Sequence, residues 1–416
     1  MQYRSRIADQ MLRERLAAVP MVVVEGPRAV GKTETARQHA RSEVLFDIDA
    51  NALAATEIDP AGVLEGPEPR LLDEWQVAPA IWNHARRASD DGRRPGRFIL
   101  TGSAVPADDI TRHSGIGRVS RIRMRPMSLF ESGESSGATS LAALADEQPV
   151  TTASAQEELA DVIEMMCRGG WPGILDASAA DAQRFSRDYV EEASRTSVPG
   201  VDERQHDPIR VRRLLTSLGR NVATDANMAT LCADTRGDTP LSPDTVSAYL
   251  RTLGRLHVVE DQPAWSVRLR SRARLRKAPK RHFVCPSLAI AALEIDERRV
   301  RSDLEFCGLA FESLVVRDLR AYADPLGGTV FHYRDSNGLE VDAVIELRNG
   351  DWMAFEVKLG GQAAIEHAAT SLRKLADTIA SDAAGPPRAL GVIVASGYSY
   401  QRKDGIAVIP ITTLGP

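Results

Sequence analysis

The sequence predicts an α/β protein in three parts, with a parallel sheet at the N-terminus, a helical middle and a second α/β domain at the C-terminus. A β-branched run at Val22–Val24 leads directly into a glycine-containing loop and a helical pattern. From Pro208 to Trp265 the pattern is mainly amphipathic helix, and from about 306 to 411 helices and strands alternate. A chain of 416 residues is long enough for about three domains.

The composition excludes several broad classes of protein. The chain has 52 Lys and Arg against 57 Asp and Glu, and 43% of its residues are hydrophobic. These values are ordinary for a globular protein and exclude a largely disordered chain, a coiled coil or a collagen. The formal net charge of −5 argues against a surface uniformly adapted to nucleic acid, although local basic patches remain compatible with it.

The sequence predicts a cytoplasmic chain without membrane association. Its first residues lack the apolar segment of a signal peptide, and it has no run of about 18 apolar residues. No two cysteines form a C-x-x-C pair, so we expect neither a zinc site nor a disulfide framework. The four cysteines are Cys167, Cys232, Cys285 and Cys307.

The loop after Val22–Val24 carries the pattern G-x-x-x-x-G-K-T between a strand and a helix, as a phosphate-binding loop requires. Glycines let the backbone curl so that its N–H groups face a polyphosphate. We expect ATP as the ligand, with Lys32 on its β- and γ-phosphates and the Thr33 hydroxyl on Mg²⁺. The loop residues are Gly26, Pro27, Arg28, Ala29, Val30, Gly31, Lys32 and Thr33.

Two further apolar strands end in polar residues that such a site needs. Asp73 and Glu74 follow one strand, and we expect Asp73 to organise Mg²⁺ and Glu74 to polarise the attacking water. Phe98–Leu100 leads into Thr101, the position of a γ-phosphate sensor. This strand should lie between the strand of the phosphate loop and that of Asp73. A plain Thr-Gly-Ser turn is the alternative.

A basic run without acidic residues extends from Arg112 to Arg125. Within it Arg118 follows Gly117, and it is a candidate arginine finger for the γ-phosphate. It could act in its own chain or, in a homo-oligomer, on the site of a neighbouring subunit. A solvated basic strand explains the run equally well.

Together these motifs resemble one family of ATPases. The segments GPRAVGKT, LLDEWQ, LTGS, SGIGR, RPMSLFE and RGGWP, over roughly residues 20–175, are similar to the prokaryotic AAA-type ATPases of the archaeal ATPase-like group. The resemblance implies an ASCE P-loop NTPase sheet with Lys32, Thr33, Asp73 and Glu74 as ATPase residues. It also implies a C-terminal domain of unknown function that is similar to nucleases.

We expect the following division of the chain. Residues 1–131 form the ATPase core, and the Ser-, Ala- and Gly-rich segment 132–156 is a linker or variable insertion. Residues 157–207 form a helical lid or connector, and 208–282 a winged-helix-like domain with a basic segment. In that domain we expect three helices, the third with a capped start at Leu241–Asp244, followed by a short strand at His257–Asp261. Residues 283–416 form the C-terminal α/β domain.

The basic segment at the end of the winged-helix-like part predicts a nucleic-acid partner, with DNA favoured. Residues 251–282 hold ten Lys and Arg against two acidic residues. Five arginines alternate with other residues, which in a strand places them on one face, towards a phosphate backbone. They are Arg268, Arg270, Arg272, Arg274 and Arg276. A solvated loop, one docked on the acidic C-terminal domain, or a winged helix used only for packing are the alternatives.

The C-terminal pattern of helix, three strands, helix and strand matches the restriction-endonuclease-like core of the PD-(D/E)XK nucleases. Acidic residues fall where that core needs them, with Glu312 on the first helix and Asp342 in the second strand. Glu356 and Lys358 lie two residues apart in the third strand and therefore share a face. We expect Asp342 and Glu356 to bind Mg²⁺ and Lys358 to position the attacking water. Carboxylates on a solvated sheet edge are the alternative.

The register between the second and third strands decides whether Asp342 lies on the same face as Glu356 and Lys358. A two-residue Asn349-Gly350 turn would pair Asp342 with Val357 and turn the two halves of the site to opposite faces. A three-residue Asn349–Asp351 loop, or a bulge, would pair Asp342 with Lys358 and assemble the site. We expect the second arrangement.

These observations lead to one main hypothesis and two alternatives. The main hypothesis is an ATP-driven enzyme in which nucleotide state controls a Mg²⁺-dependent nuclease on bound nucleic acid. The first alternative is a non-cleaving ATP-dependent switch that binds DNA or a protein and has an inactive nuclease fold. The second is a signalling NTPase with no nucleic-acid role.

Overall fold

The computed structural model describes residues 3–90, 94–103, 116–197, 207–235, 241–266, 278–380 and 385–416. The chain forms two compact units instead of the three parts expected from the sequence. The first comprises residues 1–126, 197–205 and 252–258, and the second comprises residues 127–196, 206–251 and 259–416. Most of the predicted winged-helix-like part therefore belongs to the same unit as the C-terminal sheet.

The first unit is an α/β sandwich around one parallel sheet. Its elements are α1 (Ile7–Ala18), β1 (Met21–Glu25), α2 (Lys32–Arg37), β2 (Ser42–Leu45), α3 (Ala50–Ile58), α4 (Pro60–Val63), β3 (Arg70–Asp73), α5 (Ala80–Asp90), β4 (Phe98–Gly102) and β5 (Val119–Arg123). The strands run parallel in the order β2-β3-β4-β1-β5. β4 thus lies between β1 and β3, as the sequence predicts.

The core of this sheet explains why short apolar runs form its strands. Parallel strands are covered on both faces and therefore need continuous hydrophobic stretches. The β1 residues Val22–Val24 and the β4 residues Phe98–Leu100 are almost completely buried. On one face they pack with Trp75 and Trp82, whose ring centroids lie 5.0 Å apart.

The second unit contains the remaining elements. They are α6 (Leu129–Ser132), β6 (Thr139–Ser140), α7 (Leu141–Ala145), β7 (Ala153–Ser154), α8 (Leu159–Arg168), α9 (Ala179–Glu192), α10 (Pro208–Arg220), α11 (Met228–Asp234), α12 (Pro243–Arg255, whose last turn falls in the first unit), α13 (Pro286–Ala292), α14 (Glu297–Ser302), α15 (Leu304–Ala323), β8 (Thr329–Arg334), β9 (Glu340–Glu346), β10 (Trp352–Lys358), α16 (Gln362–Ala380), β11 (Ala389–Val394), β12 (Tyr398–Gln401), β13 (Ala407–Pro410) and β14 (Leu414–Gly415).

A seven-stranded mixed sheet organises this unit, in the order β7-β12-β13-β11-β10-β9-β8. β8, β9 and β10 form an antiparallel meander, and α16 crosses over to β11, which runs parallel to β10. The apolar face of α16, including Ile365, Leu372 and Ile379, packs on Trp352 and Val392 of the sheet. The element order α-β-β-β-α-β predicted for 306–411 is confirmed.

Residues 132–156, which the sequence predicts to be a linker or variable insertion, contain two short strands that pair with C-terminal strands. β6 pairs in parallel with β14, and β7 pairs antiparallel with β12. The preceding helix α6 also belongs here, since the Leu129 N–H donates to the Asp318 carboxylate at 3.0 Å. The segment therefore extends the C-terminal unit, and the boundary expected after residue 131 lies at 126.

The helical middle has the three predicted helices, α10, α11 and α12. The predicted start of the third is confirmed, because Ser242 Oγ accepts a hydrogen bond from the Thr245 N–H at 3.2 Å. The strand expected at His257–Asp261 is not formed as such. Among the described residues from 257 to 266, strand pairing consists of three isolated bridges. Val259 with Phe283 and Gln262 with Lys280 are antiparallel, and Ala264 with His332 is parallel. None of the described helices is long and apolar enough to cross a bilayer.

Candidate functional site

The predicted phosphate loop connects β1 to α2 and adopts a backbone that few residues permit. Gly26 has φ of +154°, and a Cβ there would lie 2.3 Å from the Met124 carbonyl oxygen. Only glycine fits this contact. Ala29 is also in the left-handed region, with φ of +62°. The predicted helix after the loop is shorter than its sequence pattern, since α2 ends at Arg37.

Lys32 lies folded against the loop that it follows. Its Nζ donates to the Gly26 carbonyl at 3.0 Å and to the Pro27 carbonyl at 2.8 Å. Burial lowers the pKa of Lys32 to about 8, although the charges of Glu74 and Asp73 oppose this shift. Two neutral carbonyl oxygens hold the ammonium group against the loop, and charged phosphate oxygens would bind it more strongly.

Three segments meet at Asp73. The Thr33 hydroxyl donates to Asp73 Oδ1 at 2.8 Å, and the Thr101 hydroxyl donates to the same oxygen. A hydroxyl next to a carboxylate is the donor set that Mg²⁺ takes in phosphate-loop proteins, so the residues fit this ion. Thr101 lies in the predicted strand, but its hydroxyl is directed at Asp73.

Glu74 has partners that differ from those of Asp73. Its backbone is left-handed, with φ of +48°, and this turns the side chain away from the direction that a continuing strand would give it. The Gln76 amide donates to Glu74 Oε2, and Ser103 Oγ donates to the same oxygen at 3.3 Å. Gln76 has no signal in the sequence beyond the quoted LLDEWQ motif, whereas Ser103 is the second hydroxyl residue at the end of the strand that carries the predicted γ-phosphate sensor.

Arg118 does not lie near the phosphate loop of its own chain. Its carbonyl oxygen accepts the Met21 N–H at the amino end of β1, whereas the loop follows Glu25 at the carboxyl end. At about 3.3 Å per residue these ends are about 13 Å apart. The Arg118 guanidinium pairs instead with Asp90 at the end of α5. A finger acting in its own chain is therefore wrong, and the role in a neighbouring subunit stays a prediction.

The β9–β10 register brings the predicted C-terminal residues to one face. Phe355 pairs with Ala343, so the next step places Asp342 opposite Glu356. Directly opposite residues share a face, and Lys358 follows two residues on. The predicted face sharing is confirmed, but the predicted partner of Asp342 is wrong, since Glu356 and not Lys358 lies opposite it.

The turn explains this shift. The Leu347 N–H donates to the Asp351 carbonyl at 2.8 Å, which closes a three-residue loop, Arg348–Gly350. Gly350 occupies the left-handed position of that loop, with φ of +91°. The loop has the predicted length but begins one residue earlier than expected, because Gly350 and not Asp351 ends it.

Asp342, Glu356 and Lys358 contact one another directly. Lys358 Nζ lies 2.6 Å from Glu356 Oε2 and 3.2 Å from Asp342 Oδ2. The Val357 N–H also donates to Asp342 Oδ2, at 2.8 Å. Burial opposes ionisation of Asp342, but the ammonium groups of Lys280 and Lys358 prevail and hold its pKa below the usual value.

Lys280 is a member of this site that the sequence analysis did not single out. Its Nζ lies 2.6 Å from Glu312 Oε1 on α15 and 3.4 Å from Asp342 Oδ1 on β9. In the sequence it counted only as one cation of the basic segment. Lys280 lies 32 residues before Glu312, and no local sequence pattern indicates that the two side chains meet.

We name Glu312, Asp342, Glu356, Lys280 and Lys358 the acidic–lysine centre. Burial, and next the Asp342 charge, raises the pKa of Glu312 to about 8 and that of Glu356 also to about 8. The carboxylates in turn raise the pKa of Lys280 despite its burial. The centre is thus a buried cluster of three carboxyl groups and two ammonium groups, in which burial disfavours ionisation of Glu312 and Glu356.

The carboxylates of the centre are the oxygen donors that Mg²⁺ prefers, so the donor set fits this ion. Both lysines nevertheless lie where the carboxylates converge. Within the described ranges, no group of three or more His, Cys, Asp or Glu side chains is arranged to hold a metal ion. An ion between Asp342 and Glu356 would take over contacts that Lys358 now makes.

The remaining predicted residues lie outside the described part of the chain. They are Arg268, Arg270, Arg272, Arg274 and Arg276. Their role in binding nucleic acid stays a prediction.

Comparisons with known families cover most of the chain in three pieces. Residues 18–132 match a family described as an AAA domain. Residues 159–299 and 307–414 match two families, each described as a domain of unknown function, DUF8612 and DUF4143. Together with the geometry of Lys32, Thr33 and Asp73, the first match supports nucleotide binding by an AAA-type domain in the N-terminal part. The nuclease-like assignment of the C-terminal part is not tested by these matches.

Relatives and solved structures add similarity without function. Two uncharacterized proteins, from Mycobacterium bovis and Mycobacterium tuberculosis, are 26% identical over 359 residues, which cover 85% of this chain and 73% of theirs. A Walker-type ATPase of Pyrococcus abyssi matches with a TM-score of 0.42 and 13% identity, over 70% of this chain and 98% of its own. AMPPCP-bound DnaA from Aquifex aeolicus matches with a TM-score of 0.25 and 13% identity, over 61% and 89%. TM-scores this low do not extend the similarity to fold or function.

Proposed function

We propose that the protein is an ATP-hydrolysing enzyme that acts on nucleic acid, in which nucleotide state controls Mg²⁺-dependent cleavage at the acidic–lysine centre. The nuclease half of this proposal rests on one observation. Lys358 Nζ contacts both Asp342 and Glu356, at 3.2 and 2.6 Å. Two carboxylates and a lysine at this spacing are suited to phosphodiester hydrolysis.

The N-terminal residues have complementary roles in ATP hydrolysis. Lys32, which now donates to two loop carbonyls, would donate to phosphate oxygens of bound ATP. Thr33 and Asp73 would hold Mg²⁺, which would supply stabilisation of the phosphate charge. Glu74, oriented by Gln76 and Ser103, accepts a proton from the attacking water. The separate partners of the two adjacent carboxylates support this division of labour.

In the C-terminal centre, Lys358 positions the attacking water and stabilises the charge that develops on the phosphate. Asp342 and Glu356 would hold a divalent ion, which supplies further stabilisation of that charge. Nucleic acid is the proposed substrate because residues 251–282 are strongly basic within an acidic protein. DNA is favoured because the sequence of this region resembles a winged helix.

The test is a cleavage assay on labelled single-stranded, duplex and branched DNA with Mg²⁺ or Mn²⁺. We expect the wild type to cut at least one substrate. The variant Glu356→Ala with Lys358→Ala should not cut, but should hydrolyse ATP at the wild-type rate. Exposed Glu366→Ala with Lys374→Ala, on α16, is a matched control that should keep both activities. Wild-type protein that cuts neither DNA nor RNA with either ion contradicts the nuclease half.

A second function is favoured by one observation. Lys280 and Lys358 already balance the carboxylates of the centre, as in a fold that is used for binding and not for cleavage. In that case the protein is an ATP-dependent switch that binds DNA or a protein partner. Salt-dependent DNA binding without any product would support this alternative.

A further inference from the structure

Lys280 is presented to the acidic–lysine centre by a fixed backbone. Lys280 and Gln262 exchange backbone hydrogen bonds at 3.0 and 2.9 Å. The Gln262 amide then donates to the carbonyls of Phe331 and Asp342, at 2.9 Å each. The chain segment that carries Lys280 is therefore tied to β8 and β9, and its position is set by the same strand that carries Asp342.

The ammonium group occupies a position suited to a metal ion. It lies between two carboxylates from different elements, Glu312 on α15 and Asp342 on β9. The side chain of Lys280 is 11% exposed, and those of Glu312 and Asp342 are 10% and 15% exposed. When both carboxyl groups are ionised, a cation between them offsets their repulsion, and Lys280 lies in position to supply it.

We propose that Lys280 is the resident cation of the Glu312–Asp342 pair, so that the centre binds a divalent ion only between Asp342 and Glu356. The ion between Asp342 and Glu356 is part of the proposed function, and the proposal rests on it in this respect. The new element is the number of ions that the centre can hold. Lys280 is thus a residue that determines metal stoichiometry. It takes the place of a second ion and leaves Glu312 with no direct role in metal binding.

Removal of the Lys280 ammonium group distinguishes a substitute for a metal ion from an ordinary structural ion pair. If Lys280 substitutes for an ion, its loss leaves two oxygen donors at a spacing set by α15 and β9, and a divalent ion can enter. If Lys280 only stabilises the fold, its loss costs stability and creates no site.

The experiment counts bound Mn²⁺ in nucleotide-free full-length protein, by titration calorimetry and by the electron paramagnetic resonance of free Mn²⁺. Asp73→Asn is present throughout to remove the N-terminal ion site. We expect about one Mn²⁺ per chain in this background and about two after Lys280→Met. Lys280→Arg should stay at about one, because it keeps the cation. Lys280→Met with Glu312→Gln should also stay at about one, because the second carboxylate is gone.

Two results overturn the proposal. One is an unchanged Mn²⁺ count in folded Lys280→Met protein, and the other is a count of about two with Lys280 intact. Should Lys280→Met not fold, Glu312→Gln alone still decides the matter. It should leave the count unchanged, and loss of an ion in this variant would show that Glu312 is a metal ligand.

Failure of the proposed function gives a different pattern. No nucleic acid is present in the titration, so absence of cleavage does not affect the count. If the background protein binds no Mn²⁺ but Lys280→Met gains one, the ion between Asp342 and Glu356 is excluded and the resident-cation role of Lys280 is supported.

Discussion

Among single residues, Asp73 and Glu74 have distinct environments although they are adjacent in the chain. Asp73 accepts hydrogen bonds from two threonine hydroxyls at the carboxyl edge of the parallel sheet. Glu74 is turned aside by a left-handed backbone and is held by Gln76 and Ser103. This difference is the reason that we propose Asp73 for the metal ion and Glu74 for the attacking water.

Glu74→Gln should therefore reduce the kcat of ATP hydrolysis about 10²- to 10⁴-fold, because glutamine cannot accept the proton of the attacking water. ATP binding should persist, since Lys32, Thr33 and Asp73 are unchanged. Steady-state ATPase kinetics and calorimetric ATP titration measure the two effects separately. Exposed Glu43→Gln on β2 is a matched control that should keep the wild-type kcat. A kcat for Glu74→Gln within about twofold of wild type would exclude the proposed base.

At the scale of secondary-structure elements, the features that depend on local sequence could be predicted, and those that depend on distant residues could not. The order of β1, β3 and β4 and the common face of Asp342, Glu356 and Lys358 could be predicted, because both follow from local periodicity and motif order. The one-residue shift of the Arg348–Gly350 loop depends on where the left-handed glycine falls. That detail is settled by turn chemistry rather than by the strand pattern.

Other features could not be predicted because they depend on distant partners. The strands in 132–156 are two residues long and exist only by pairing with β14 and β12. The position of Arg118 depends on which end of β5 it occupies, and motif spacing does not specify this. Lys280 reaches the acidic–lysine centre through its pairing with Gln262, which has no sequence signature.

His282 links the chain segment that carries Lys280 to α15. Its environment leads us to expect that the free energy of unfolding depends on pH. Its ring is buried between Ser313 Oγ and Gln262 Oε1, at 3.2 and 3.1 Å. Burial, then the positive charges of Arg320 and Lys280, hold the pKa of His282 well below its usual value, and His332 adds to this while Glu260 opposes it. The imidazole is therefore neutral in the folded protein and protonates first in the unfolded chain.

The free energy of unfolding should consequently fall below about pH 6.5, because the unfolded state then binds a proton that the folded state does not. The His282 contribution approaches about 1.4 kcal/mol per pH unit once the unfolded imidazole is protonated. Urea denaturation at about pH 7 and about pH 5.5 measures it, and His282→Gln should lose less stability between the two. Equal losses in wild type and variant would show that His282 is protonated in the fold.

For the whole molecule, the near-neutral charge conceals an uneven distribution. Residues 1–282 hold 39 cations and 39 anions, whereas residues 283–416 hold 13 cations and 18 anions. The first compact unit contains the nucleotide site, and the second contains the acidic–lysine centre. The central claim is that ATP bound in the first unit controls catalysis in the second.

The most direct test is the rate of DNA cleavage with Mg²⁺, measured with and without ATP, in wild type and in Lys32→Ala. Lys32→Ala removes the phosphate-binding ammonium and leaves the acidic–lysine centre intact. We predict that ATP changes the wild-type rate about tenfold or more and leaves the Lys32→Ala rate unchanged. A wild-type rate that is the same with and without ATP, or a Lys32→Ala rate that responds equally, would contradict the account.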